Sequence, residues 1–187
     1  MFKELRAAPN LLTFLRLCLI PFLLIAALES NYRTAVILFV VAGLSDGLDG
    51  LAARWLQQQT QLGQYLDPVA DKLLLSALFL VLMHQQLVPR RVTVLVLSRD
   101  IGILIVAAVL YISLGMRDFR PSIFGKASTC AQIVALFSVL LCQWWRGVLL
   151  LTLLRGLSLA ATAALAVISA VHYAWRTARR LAVMEAA

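Results

Sequence analysis

The chain has 187 residues, 62% of them hydrophobic and 14% charged, with a mean hydropathy of +0.90. That is more apolar surface than a soluble domain of this length exposes or buries, so the composition is that of a membrane protein, with length for about six spans of roughly 20 residues and no separate soluble domain. The net charge is +8, but a nucleic-acid binder needs a basic soluble face with aromatics or a recognition helix, for which the chain has no room; an anionic membrane surface is the better partner.

Taken in order, residues 1–9 hold Lys3, Glu4 and Arg6 among apolar positions and read as an N-terminal interfacial helix on the headgroups, or alternatively as a solvated tail. A first span is expected over residues 11–28; its length and the lack of a small-residue cleavage site argue against a signal peptide. Arg16 lies inside it, either snorkelling to the interface or turned inward toward a phosphate. A short loop leads to a second span over residues 34–55, and a third is expected over residues 66–84, with Asp67 before Pro68 readable as a helix start. Lys72 is expected to snorkel or pair with a carboxylate, and His84 to lie at the interface. The fourth span, residues 92–114, embeds Ser98, Arg99 and Asp100; the two charges either neutralise each other or leave Arg99 facing a cavity. A loop over residues 115–126 adds Arg117, Arg120 and Lys126, a basic anion site or a solvated topological signal. Ser128 and Thr129 open a fifth span ending near residue 145, and a sixth runs over residues 148–175, rich in small residues that favour close helix contact. Cys18, Cys130 and Cys142 are odd in number and scattered in apolar segments, which suits small core residues and not a disulfide framework or metal site.

Six spans place both termini on one side. Lys3, Arg6, Arg54, Arg117, Arg120, Lys126, Arg176, Arg179 and Arg180 fall on that side, against Arg33, Arg90, Arg91 and Arg146 opposite, so it is expected to be cytoplasmic.

The stretch over residues 46–71 departs from this apolar background. It places Asp46, Asp49, Asp67 and Asp71 beside hydrophobic sequence, where an ionised carboxylate is costly and by default functional. On a helix Asp46, Asp49, Gly50 and Ala53 share one face at i, i+3, i+4 and i+7, and Asp67 and Asp71 share another at i, i+4. The residues between Arg54 and Gly63 are enough to turn the chain and let the two pairs converge. An all-oxygen set without Cys or His suits hard cations such as Mg2+ or Mn2+, and four carboxylates can hold two ions. Taken singly, each Asp also reads as a helix cap or loop charge.

The pattern Asp46-x2-Asp49-Gly50-x2-Ala53-Arg54-x8-Gly63-x3-Asp67-x3-Asp71 resembles the full signature of the CDP-alcohol phosphotransferase family, filled at all eight positions. The resemblance implies an all-α integral membrane protein of six transmembrane helices, one domain over residues 1–187. It further implies a homodimer, in a bacterial inner membrane or equivalent organelle membrane, whose two-metal site opens to the cytoplasm and displaces CMP from CDP-diacylglycerol. By the same resemblance Asp46, Asp49 and Asp67 bind metal, and Asp71 takes the acceptor's proton and lies within reach of the second ion. Asp49, Gly50, Arg54 and Gly63 meet the CDP moiety, and Asn10, Thr13 and Arg16 touch the lipid substrate. Arg16, Arg99, Arg117, Arg120 and Lys126 are the candidates for acceptor or phosphate binding. The runs 9–13 and 45–72 are similar to the branch that makes glycerol-headgroup phospholipids. Ser98-Arg99-Asp100, Phe119-Arg120-Pro121-Ser122 and Gly125-Lys126 are closer to members whose acceptor is phosphatidylglycerol. Members that use glycerol 3-phosphate, the alternative acceptor, commonly show a further arginine about two turns beyond Arg99, where this chain has Ile, Val and Ala. An ion-coupled transporter is the alternative of another class, though no internal repeat is visible.

Overall fold

The computed structural model describes residues 8–55, 61–114 and 123–185, with side chains described over residues 14–45, 70–106 and 123–179. Among the described residues there are six helices and no strand: α1 (Ala8–Leu28), α2 (Tyr32–Trp55), α3 (Gln61–His84), α4 (Arg90–Leu114), α5 (Ile123–Trp144) and α6 (Leu149–Glu185). Each apolar segment expected to span is a helix, and three ends move by five residues or more. The third begins at Gln61, so Pro68 is its eighth residue and Asp67 is no helix start. The fifth begins at Ile123, which puts Gly125 and Lys126 in its first turn and not in a loop. The sixth continues to Glu185, about 55 Å against a hydrocarbon core of about 30 Å. In all three cases backbone hydrogen bonding carries the helix beyond the continuous apolar stretch into sequence broken by polar residues or glycine, where hydropathy gives a weak signal.

The chain forms two compact units, residues 1–87 with 139–148, and residues 88–138 with 149–187. In the first, α1 packs on α2 and on α3. Its core takes Leu23, Ala26 and Ala27 from α1, Ala35, Val36, Phe39 and Ala42 from α2, and Leu74, Leu75, Leu78, Phe79 and Leu82 from α3. These recur at the three- and four-residue spacing of a helix face, and the alanines let backbones approach closely. Helix α1 ends in a Schellman turn: the Asn31 N–H donates to the Ala26 carbonyl and the Ser30 N–H to that of Ala27, with Ser30 at φ 60. Helix α3 ends the same way, from Leu87 to Leu82 and from Gln86 to Met83, with Gln86 at φ 61. The two ends are joined by Gln85, whose Nε2 donates to the carbonyls of Ala27 (2.6 Å) and Leu28 (3.2 Å), satisfying acceptors that a helix end leaves open.

In the second unit α4 packs on α6. Helices α5 and α6 are joined by polar contacts: the Thr162 hydroxyl donates to the Ala131 carbonyl (3.0 Å), and the hydroxyls of Ser138 and Ser158 are 2.8 Å apart.

Polar and apolar side chains are distributed inside out. Gln132, Thr162 and Ser169 are fully buried, while Leu149, Leu157 and Val171 are 73%, 69% and 65% exposed. Water would penalise such a surface and lipid would not. Two described stretches, Ile123–Trp144 and Leu149–Arg179, are long and apolar enough to cross a membrane, with mean hydropathies of 1.6 and 1.9. The cysteine expectation holds only for Cys142, which is buried; Cys18 and Cys130 are exposed on these apolar faces, since any position on a lipid-facing surface is as apolar as a core.

Candidate functional site

Helix α2 places Asp46 and Asp49 at its fifteenth and eighteenth residues, and α3 places Asp67 and Asp71 at its seventh and eleventh. At 100° per residue each pair occupies one helix face, and both helices belong to the first compact unit. The side chains of Asp46, Asp49, Gly50, Arg54, Gly63 and Asp67 lie outside those described, as do Asn10 and Thr13 on α1; Arg117 and Arg120 lie outside the described residues altogether. Asp71 is described and half-buried, beside the fully buried Ala70. A half-buried carboxylate can be reached by a ligand and still be shielded from bulk water. Oxygen donors of this kind, paired at i, i+3 and i, i+4, suit a hard divalent cation. Arg16, on α1 of the same unit, is 1% exposed, so its side chain is turned into the protein and does not snorkel. Lys72 is half-buried and His84 exposed.

The second unit holds a different polar centre. Arg99 and Asp100 pair directly, with side chains 7% and 5% exposed, as the neutralisation reading expects. Neighbouring residues on a helix do not ordinarily face each other, and here further contacts fix the guanidinium. Its Nε and Nη2 donate to the Ser169 hydroxyl at 3.2 and 2.9 Å, and Nη2 reaches the Gly125 carbonyl at 3.5 Å. Three helices thus hold one buried cation, which satisfies its donors away from bulk solvent. Ser169 and the Gly125 carbonyl were invisible in the sequence: a serine in an Ala-rich span reads as packing, and a carbonyl has no residue type to signal it.

From this knot a cleft of about 390 Å³ runs between α4 and α6, lined chiefly by Gly102, Ile103 and Val106 on one side and Ala170, Ala174 and Ala178 on the other. Both helices run the same way along it for eight residues, about 12 Å. Tyr173 and Thr177 add hydroxyls to the wall, and beyond it Arg179 stacks on Trp175 at 4.4 Å, an aromatic and basic end of the kind found at membrane interfaces. Lys126 is exposed on α5.

Residues 6–168 match the family model for CDP-alcohol phosphatidyltransferases, which takes in both carboxylate pairs and the Arg99–Asp100 pair. The chain belongs to the CDP-alcohol phosphatidyltransferase family. Among similar proteins, the CMP-forming cardiolipin synthase of Rattus norvegicus is 34% identical over 67% of this chain and 47% of its own length. The chain therefore spans about half the length of that relative. A CDP-diacylglycerol–glycerol-3-phosphate 3-phosphatidyltransferase of Aquifex aeolicus is 38% identical over 70% of this chain and 74% of its own. One of the same name from Wigglesworthia glossinidia brevipalpis is 31% identical over 90% and 94%. Family membership thus agrees with the resemblance seen in the eight-position aspartate pattern, and it supplies no support for the transporter alternative.

Proposed function

We propose that the chain is an integral membrane enzyme, with all six helices crossing the bilayer, that transfers a phosphatidyl group from CDP-diacylglycerol to a hydroxyl of phosphatidylglycerol. The products are cardiolipin and CMP. The observation behind this reading is the register of Asp46 and Asp49 on α2 and of Asp67 and Asp71 on α3 in a chain of this family. In the proposed reaction the acceptor oxygen forms a bond to the phosphatidyl phosphorus as the bond to the CMP oxygen breaks. Asp71 takes the hydroxyl proton, for which its half-buried position suits it. Asp46, Asp49 and Asp67, with Asp71, would hold two Mg2+ or Mn2+ ions. Bound there, such ions supply neutralisation of charge on the pyrophosphate and the leaving CMP. Gly50 and Gly63 would leave space for the nucleotide, and Arg54 would meet a phosphate. The protein is proposed to act as a homodimer in a bacterial inner membrane or its organelle equivalent, with the site on the cytoplasmic side.

The acceptor preference rests on the cleft beside Arg99. Gly102, Ile103 and Val106 line it where a second guanidinium would serve a small dianion, and an apolar trough about 12 Å long is of use to an acceptor with acyl chains. Glycerol 3-phosphate is the second reading, favoured by the relative that matches 90% of the chain.

The test is product analysis by mass spectrometry after purified protein is given CDP-diacylglycerol, a divalent cation, and either phosphatidylglycerol or glycerol 3-phosphate. Cardiolipin from the first arm is the expected result. Phosphatidylglycerophosphate from the second arm alone would establish the second reading, and no product in either arm would refute the assignment to a glycerol acceptor.

A further inference from the structure

Helix α5 buries Ser128, Gln132 and Ser138 in the second unit and half-buries Thr129, and two of these four differ from the rest. Thr129 donates to the Gly125 carbonyl (3.3 Å), and Ser138 donates to the Ala135 carbonyl (2.8 Å) and meets Ser158. These are the usual outlets for a polar side chain on an apolar helix, the carbonyl one turn back or a neighbouring helix. Ser128 and Gln132 use neither. Both are 0% exposed, and the Ser128 hydroxyl and both amide atoms of Gln132 have no hydrogen-bond partner. An orphan of this kind is costly in an apolar interior and calls for a missing partner.

The direction in which that partner lies follows from the register. Gly125, Ser128 and Gln132 stand at i, i+3 and i+7, on one face of α5, and the carbonyl of Gly125 is the one that Arg99 Nη2 approaches. The orphan pair therefore continues, over the next two turns, the same face on which the buried guanidinium ends. Ser128 and Gln132 are one turn apart, with Cβ atoms about 5–6 Å from each other. Between them they offer N–H donors, a carbonyl acceptor and a hydroxyl able to do either, and no charge. A neutral group carrying more than one hydroxyl matches that set, whereas a phosphate would waste the acceptor.

We propose that Ser128 and Gln132 bind the glycerol hydroxyls of the acceptor and so determine acceptor specificity, an assignment that rests on the glycerol-acceptor reading above. The shared chemistry is a glycerol group, present in both phosphatidylglycerol and glycerol 3-phosphate.

The experiment compares the wild type with Gln132→Leu and Ser128→Ala, each purified in detergent. It measures KM for each acceptor, KM for CDP-diacylglycerol, and the rise in Tm produced by phosphatidylglycerol, by glycerol 3-phosphate, or by phosphatidylethanolamine, which lacks a glycerol headgroup. Expected are a rise of about tenfold in KM for the acceptor in each variant, the loss of one hydrogen-bonded group, and an unchanged KM for CDP-diacylglycerol. Resting Tm should hold or increase, because replacing an orphan polar group by an apolar one of similar shape removes a penalty. The wild type should be stabilised by a glycerol-bearing acceptor and not by phosphatidylethanolamine, and the variants by neither. An unchanged acceptor KM with turnover intact would overturn the inference and leave the function standing, assigning the pair to an internal water. If no acceptor supports turnover, the Tm measurement decides: equal stabilisation of wild type and variants, or none, overturns the site as well.

Discussion

The two compact units treat charge in opposite ways. On α2 and α3, four of the chain's nine acidic residues stand within residues 46–71, same-sign charges at helical spacing that the proposed function assigns to divalent cations. On α4, Arg99 meets its counter-charge in the very next residue and its remaining donors turn to Ser169 and the Gly125 carbonyl. In the proposed function the first arrangement serves a ligand, whereas the second is held by partners within the chain. Substitutions at the carboxylates of α2 and α3 should therefore damage activity, and substitutions around Arg99 should damage stability.

The largest effect is expected at Asp71. Asp71→Asn removes the proposed proton acceptor and should lower kcat by about a hundred- to ten-thousand-fold, with the helical circular-dichroism signal unchanged; a matching loss of helicity would move Asp71 into the structural class. In the second unit, Asp100→Asn leaves the Arg99 guanidinium buried without its counter-charge. It should destabilise the fold by about 3–5 kcal/mol, read as a lower Tm in detergent, and a loss of activity at unchanged Tm would contradict the contrast between the units. Ser169→Ala strips the acceptor from Nε and Nη2 of the same guanidinium and should cost about 1–3 kcal/mol by the same measurement. The smallest effect belongs to Gln85→Ala, which opens the bridge between the ends of α1 and α3; about 0.5–1.5 kcal/mol is expected, with kcat and both KM values unaltered.

Much of this contrast was legible before any coordinates, and unevenly so. The six helices follow from apolar length, because in lipid only a helix satisfies its own backbone within one segment. The carboxylate register follows as well, since spacing on a helix converts directly into a shared face. Helix ends were less legible: Gln61 begins a helix in sequence that is not yet apolar, Gly125 and Lys126 interrupt the apolar start of the helix that begins at Ile123, and Pro68 suggested a start although the helix continues through it. The burial of Arg16 and the satisfaction of Arg99 depend on which helices become neighbours, which residue spacing within one helix does not encode. The same limit hid Ser128 and Gln132. As single polar residues in an apolar span they look like ordinary helix-packing positions, and only the absence of partners for three buried atoms sets them apart.

The most direct measurement is the release of CMP from CDP-diacylglycerol by the purified protein, supplied with phosphatidylglycerol, before and after treatment with a chelator. Release that stops on chelation and returns with added Mg2+ or Mn2+ is the predicted result, and it would tie the carboxylate register of α2 and α3 to a divalent-metal centre. Release that continues undiminished in excess chelator would contradict that centre.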